Sequence, residues 1–200
     1  QRFENTAGDD RKNFLASTRA GKKTLFGAVC VDRRDEHSIV DGGVRVIWST
    51  AKVIGLNQGK DIRKIPEGHE EEVSVLTGRG TLYPAEAFRR HGLFDEQHFK
   101  QCGDYSLPAL LKRKGYELKI VYDARVFMDR EETDLVNFSP RLRLQDWRKV
   151  FFGVRSNHNL KYRFFLAWYG CPHWALPGFL IMDFLRVLTN FCLLYTSDAA

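Results

Sequence analysis

The sequence lacks the patterns that identify several common classes of protein. Its four cysteines are widely separated and form no CxxC pair, so neither a zinc site nor a dense disulfide framework is indicated, and a reducing compartment is the simpler expectation. The chain begins at Gln1 without an initiator Met or a signal peptide, and we expect further sequence upstream. No RRM, KH or helix-turn-helix signature is present, so nucleic acid is not an expected partner.

The sequence also lacks an uninterrupted apolar run that would form one straight membrane span. Its most apolar segment, FFLAWYGCPHWALPGFLIM (164–182), carries no charge but is broken by two glycines and two prolines. The segment before it, 141–163, holds seven Lys or Arg against one acid, interleaved with aromatic residues. This pattern predicts helices that lie on an anionic membrane surface, while the alternative is that the apolar surface packs against the rest of the protein.

Chain length, apolar content and net charge limit the number of domains and the classes of partner. The 200 residues are 44% apolar, which predicts one domain with a good core and an extension. The formal net charge of +6 suits nucleic acid, an anionic membrane surface or a phosphate-bearing ligand, and charge alone does not choose among them.

Apolar runs predict a series of buried strands. TLFGAVCVD (24–32) is one strand, and VRVIW (44–48) belongs to a hairpin within a polar, glycine-rich excursion. The segment 72–77, with Val73, Val75 and Leu76, is expected to be a central strand that runs into a glycine turn. Two further strands are predicted at 117–122 and 124–128.

Helices are predicted between these strands. Pro84 and Gly92 mark the start and end of one helix, and another covers 106–114. In the second helix Leu107, Leu110 and Leu111 form one apolar stripe that should face the sheet. A short helix is also expected at 9–20. Strands that alternate with helices indicate an α/β fold.

The order of these motifs resembles a known family. VLTGRGTLYPAEAFRRHGLFDEQHF is followed by CGDYSLPALLKRKGYELKIVYDARVF. The series is similar to the C-terminal half of the GT-A domain in glycosyltransferase family 2: a glycine turn, a helix ending in G-x-F/Y-D-E, an acidic motif opening the next helix, then K/R-x-G-Y and D/E-A-x-V. The likeness covers 72–130, extends weakly back to about residue 24, and is echoed by VRSNHNLKYR (154–163).

The resemblance implies a fold and a division of the chain. We expect an α/β, partial GT-A (nucleotide-diphospho-sugar transferase-like) mixed sheet with flanking helices, followed by a helical C-terminal extension. Residues 1–137 would be the C-terminal part of the transferase domain, with the nucleotide-binding part upstream, and 138–195 the basic and apolar extension. Residues 196–200 resemble a non-native tail.

The resemblance also implies roles for individual residues. Asp104 falls on the family's general base, which removes a proton from the acceptor hydroxyl. Gly78, Arg79 and Gly80 would approach the donor sugar or diphosphate, and Asp95 would shape the site from behind. The plainer alternatives are that Asp104 only caps a helix and that 78–80 is an ordinary turn.

Several positions depart from the family's pattern. Gly103 and Ser106 replace acids beside Asp104, and Met128 stands where a histidine is common. The expected metal is Mg²⁺ or Mn²⁺, but only the adjacent Asp9 and Asp10 stand where a D-x-D motif would be, so the metal ligands are unknown.

The activity that the resemblance implies is an inverting transfer of sugar from a nucleotide-sugar donor to a glycan or lipid-linked acceptor. The site would lie on the cytoplasmic face of a membrane, to which the extension binds peripherally. The alternative is a noncatalytic membrane-surface protein with a degenerate transferase fold.

Overall fold

A long apolar run forms the first strand, as the sequence predicts. The computed structural model describes residues 23–99, 103–129, 147–154, 156 and 158–196. The strands are β1 (Thr24–Asp32), β2 (Ile39–Asp41), β3 (Val44–Ile47), β4 (Lys52–Gly55), β5 (Glu70–Glu72), β6 (Thr81–Leu82) and β7 (Glu117–Met128). The helices are α1 (Ala85–His91), α2 (Ser106–Arg113), α3 (Trp147–Phe152), α4 (Leu160–Gly170) and α5 (Leu176–Thr196). The expected helix at 9–20 lies outside the described residues, as do Asp9 and Asp10.

Two parallel strands form the centre of a five-stranded mixed sheet. β1 and β7 run parallel, and β5 pairs antiparallel with the other edge of β7. β2 and β6 both pair antiparallel with β1. The predicted hairpin is confirmed as β3 and β4, which form a separate two-stranded sheet. The α/β class is therefore confirmed.

The predicted central strand at 72–77 is wrong in position and in role. The strand is β5, Glu70–Glu72, and it lies at an edge of the sheet. The chain then leaves β7: Val73 still donates its N–H to Leu118, whereas Val75 donates to Val44 of the hairpin. Val73, Val75 and Leu76 are nonetheless buried, because the core surrounds them after the ladder ends. Apolar residues predict burial here, but not strand pairing.

The two strands predicted at 117–122 and 124–128 form one continuous strand, β7. The irregularity lies in its pairing, where Ala28 is opposite Val121 but the next residue, Val29, is opposite Arg125. The extra residues form a β-bulge, which bends the strand without ending it. Asp123, inside this bulge, accepts hydrogen bonds from the Gly68 N–H.

Helices α1 and α2 form where the sequence predicts them. Pro84 precedes α1, and Gly92, with φ of 81°, follows it in a conformation that favours glycine. Leu107 and Leu111 of α2 are buried in the same core as the sheet, and Leu110 is partly buried against it. The prediction that this apolar stripe faces the sheet is confirmed.

The described part of the C-terminal extension, from residue 147, is mainly helical and shares a core with the hairpin and α2. Ala167, Cys171 and Phe179 of the extension are buried together with Val46 of β3 and Ala109 of α2. One part of the apolar surface in 164–182 therefore packs against the rest of the chain, as the alternative interpretation requires.

A buried ion pair joins helices α4 and α5. Arg163 donates from Nε to Oδ2 of Asp183 over 2.7 Å and from Nη2 to Oδ1. The Asp183 side chain is only 6% exposed. A buried carboxylate is costly unless it is paired, so this contact sets how α4 and α5 meet.

Another part of the extension stays exposed. On α5, Ile181, Phe184, Leu185 and Leu188 are 40–61% exposed, and their spacing places them on one face. We call this set the α5 stripe. Trp174, just before α5, is 81% exposed. Among the described residues, no helix combines the length and the apolar character that a bilayer crossing requires.

Candidate functional site

The candidate site forms beside the parallel strands β1 and β7, and through Arg79 it reaches Met128 at the carboxyl end of β7. In the segment 78–80, the Gly80 carbonyl oxygen accepts a hydrogen bond from the N–H of Ala28, in the middle of β1, over 3.1 Å. Gly80 has φ of 66°, and a Cβ atom there would be 2.7 Å from Val126 Cγ2 and 2.9 Å from Ala28 Cβ. Only glycine fits this conformation and this close approach. The carboxyl ends of parallel strands are the usual place for ligands in α/β sheets.

Asp104 lies directly beside the glycine turn. It is in the 3-10 turn Gly103–Tyr105 that leads into α2, and its Oδ2 accepts a hydrogen bond from the Gly78 N–H over 2.7 Å. A Cβ atom on Gly78 would be 2.8 Å from Asp104 Cβ and 3.0 Å from Oδ2. Glycine is therefore required at position 78 for the Asp104 carboxylate to lie here. Tyr105, the residue that immediately precedes α2, makes no side-chain hydrogen bond that caps the helix.

Arg79 and Met128 complete one side of the site. The exposed Arg79 guanidinium lies against the thioether at the end of β7, with Nη1 3.6 Å from Met128 Sδ. Within the described part of the chain, the guanidinium has no carboxylate partner. Met128, which stands where the family that the sequence resembles often has a histidine, therefore contacts Arg79, but its thioether is neither a base nor a metal ligand of the usual kind. Below the turn 78–80, burial raises the pKa of the Cys30 thiol to about 12, so this thiol is un-ionised at neutral pH.

Tyr83 is a residue of the site that the sequence interpretation missed. Its hydroxyl oxygen is buried and has no hydrogen-bond partner among the described residues. Burial, and then the negative charge of Asp104, raise the pKa of Tyr83, so it is a neutral donor near the carboxylate. Its ring packs against Phe88 and Phe94. The signal in the sequence that could have identified Tyr83 was its position between the glycine turn 78–80 and α1.

Asp95 joins the loop after α1 to the extension. Its Oδ2 accepts hydrogen bonds from the Tyr169 hydroxyl over 2.6 Å and contacts His98 Nδ1 at 2.7 Å. Burial alone would raise the pKa of the Asp95 carboxyl, but the hydrogen bonds from Tyr169 and His98 outweigh it and hold that pKa below its ordinary value. Burial, and then Asp95, raise the pKa of Tyr169 to about 12. With these partners Asp95 supports the structure around the site, and donor or acceptor binding by Asp95 stays a prediction.

The acidic run around His69 does not form a metal site. The His69 ring packs against the Tyr122 ring in a tilted arrangement, and Glu71 contacts Arg45 and Tyr122. Across the ranges that the structure covers, no three His, Cys, Asp or Glu side chains converge as metal ligands. These residues by themselves therefore do not fit the expected Mg²⁺ or Mn²⁺ site.

The arrangement is suited to one kind of chemistry. A partly exposed carboxylate, held by a backbone N–H, can accept a proton from a hydroxyl group that approaches from the exposed side. An exposed guanidinium one residue beyond Gly78 can pair with a phosphate oxygen. The carboxylate thus contacts Gly78, and the guanidinium belongs to the next residue of the chain.

Comparison with known proteins adds no relative. No protein-family model, no curated protein and no solved structure matches the chain. The resemblance to glycosyltransferase family 2 therefore depends on the order of the sequence motifs alone.

Proposed function

We propose that the chain is part of an inverting glycosyltransferase of the GT-A type that uses Asp104 as its general base. The observation that carries the proposal is the hydrogen bond between the Gly78 N–H and the Asp104 carboxylate. It joins two motifs that are 26 residues apart in the sequence and that would contact the donor and the acceptor respectively. A helix cap alone does not require this contact.

The proposed reaction is a direct displacement at the anomeric carbon of a nucleotide sugar. The acceptor oxygen forms a new bond to that carbon on the face opposite the leaving group, and its proton passes to the Asp104 carboxylate. The bond from the anomeric carbon to the diphosphate oxygen breaks, and its electron pair leaves with the nucleoside diphosphate, near Arg79. Orientation and charge placement supply most of the acceleration in such a reaction.

The proposal is tested by a donor screen on the full-length parent protein. With Mg²⁺ or Mn²⁺ and a panel of nucleotide sugars, we expect release of nucleoside diphosphate that depends on an added glycan or lipid-linked acceptor. Arg79→Gln should raise the KM for the donor about 10-fold, because a charged hydrogen bond to phosphate is lost. Arg89→Gln, on the exposed face of α1, is the matched control and should leave that KM unchanged. Absence of turnover with every donor would contradict the proposal.

The second candidate, a noncatalytic membrane-surface protein, is favoured by Met128 at the histidine position. It shares with the first candidate the proposal that the extension binds a membrane surface. The α5 stripe supplies apolar groups for insertion, and exposed Arg148 and Lys149 of α3 supply positive charge. Of the other basic residues in 141–163, those at 141, 143 and 155 lie outside the described residues, Lys161 is exposed, and Arg163 is paired with Asp183.

Binding to vesicles should depend on the α5 stripe and on salt. We expect the chain to sediment with phosphatidylserine-containing vesicles at low salt, and Leu185→Glu to weaken this binding at least 10-fold, because the charge would enter the apolar interface. Leu93→Glu, at a site 76% exposed on the loop after α1, is the control and should bind normally. Each basic residue adds about 1 kcal/mol near an anionic surface, so added salt should also release the chain. A chain that stays in the supernatant at low salt would refute membrane binding.

A further inference from the structure

A pocket of about 260 Å³ lies between the hairpin β3–β4 and helices α4 and α5. Its walls are mostly apolar: Val44, Val46, Val53, Trp48, Leu166 and Phe179. Protein interiors hold few voids larger than a water molecule, and small-molecule pockets occupy about 300–1,000 Å³. An open apolar pocket of this size is thus close to the range of a small ligand or of one end of a larger one.

The polar groups of the pocket are few and carry no net charge. Arg163 and Asp183 both line the pocket, and they are paired with each other by two hydrogen bonds. The two charges offset one another, so the pocket favours neither an anion nor a cation. Ser156 and Tyr162 also line the pocket, and the Ser156 hydroxyl already donates to the Val150 carbonyl oxygen. This chemistry suits an uncharged ligand with an apolar body.

The pocket lies next to the proposed base. Tyr105 lines the pocket and follows Asp104 in the same 3-10 turn. Consecutive Cα atoms are about 3.8 Å apart, so the backbone that carries Asp104 directly adjoins the wall of the pocket. A residue of the pocket wall and the proposed proton acceptor are thus neighbours in one turn.

We infer that this pocket binds an uncharged alkyl or aryl group, and that this group is the apolar part of the acceptor whose hydroxyl Asp104 deprotonates. The second half of the inference rests on the proposed function. The pocket would hold the apolar group, and the sugar hydroxyl would lie beyond Tyr105. Such an acceptor is recognised by its apolar part as well as by its sugar.

Trp48 reports directly on the pocket. It lines the wall and packs against Phe179 with ring centroids 5.2 Å apart, whereas the other three tryptophans, Trp147, Trp168 and Trp174, are exposed. A variant with those three changed to Phe leaves Trp48 as the only indole. The probe is 10-bromodecan-1-ol, an uncharged alkyl alcohol whose bromine quenches tryptophan fluorescence on contact.

We expect saturable quenching of Trp48 that depends on the open mouth of the pocket. Val53 lines the pocket, is 51% exposed, and pairs with Val46 across the hairpin. A larger side chain there should narrow the mouth of the pocket, so Val53→Phe should weaken binding of the probe at least 10-fold. Ile47→Phe adds a ring to the same hairpin at a side chain that does not line the pocket, and it should change nothing. The anion 10-bromodecanoate should bind no more tightly than the alcohol. Unsaturable quenching, an unaffected Val53→Phe, or a tenfold preference for the anion would each overturn the inference.

Transfer assays on the full-length parent separate this inference from the proposed function. An octyl glycoside should be a better acceptor than the same free sugar, and Val53→Phe should remove that preference by raising only the KM for the octyl glycoside. If transfer occurs equally with both acceptors, the acceptor assignment is wrong while the proposed function stands. If no transfer occurs but Trp48 quenching is saturable and sensitive to Val53→Phe, the proposed function is wrong while the pocket keeps its ligand class.

Discussion

Replacing Asp104 by Asn should lower the turnover of the full-length parent by about 100- to 10,000-fold while the fold stays intact. The amide oxygen of Asn can still accept the hydrogen bond that the Gly78 N–H now donates to the carboxylate. The amide cannot accept a proton from the acceptor hydroxyl, and general-base catalysis typically contributes acceleration of this size. The measurement is kcat, together with donor affinity and thermal unfolding, both of which should change little.

Two further variants separate the loss of the base from the loss of a structural hydrogen bond. Asp104→Ala removes the acceptor as well as the base, so it should show the same loss of kcat and, in addition, a loss of stability of about 1 kcal/mol. Asp123→Asn is the matched control, because Asp123 also accepts a hydrogen bond from a glycine N–H, that of Gly68, but in the bulge of β7. It should retain full activity. If Asp104→Asn is as active as the wild type, Asp104 is not the base and only stabilises the turn through its hydrogen bond to Gly78.

Replacing Gly78 by Ala should displace the same carboxylate by steric contact. The new Cβ atom would be 2.8 Å from Asp104 Cβ, which folded proteins do not accept without movement. We expect kcat to fall by about 10- to 100-fold, because a shift of about 1 Å in a catalytic group has effects of this size. Overpacking should also cost about 1–3 kcal/mol of unfolding free energy. Kinetics and denaturant unfolding measure the two effects.

The double variant tests whether Gly78 acts through Asp104. In Gly78→Ala with Asp104→Asn, the kcat should be close to that of Asp104→Asn alone, because both changes disable one carboxylate. Gly178→Ala is the control: it lies in α5, a Cβ atom there meets nothing within 4 Å, and activity should be unchanged. Multiplicative losses in the double variant would show that Gly78 has a separate function.

The local elements follow from short stretches of sequence. The run 24–32 is mostly apolar, with β-branched and aromatic residues, which favours a buried strand, and Pro84 and Gly92 limit α1 through their own backbone geometry. The stripe of Leu107 and Leu111 faces the core because helical spacing places both on one side. Gly78 and Asp104 were both recognised in the sequence as candidate site residues, whereas the hydrogen bond between them is a contact of the folded chain.

Other features were decided only when distant segments met. The segment 73–76 is as apolar as a central strand, yet its hydrogen bonds pass from β7 to the hairpin, because apolar spacing specifies burial but not the partner of each N–H. The extension is divided in the same way: Phe179 is buried under the hairpin while Phe184 stays exposed, although both belong to one apolar helix. Three further features form only when separate elements pack together: the position of Tyr83 near Asp104, the pocket beside Tyr105, and the Arg163–Asp183 ion pair. Each depends on side chains from different parts of the chain, so local sequence does not specify it.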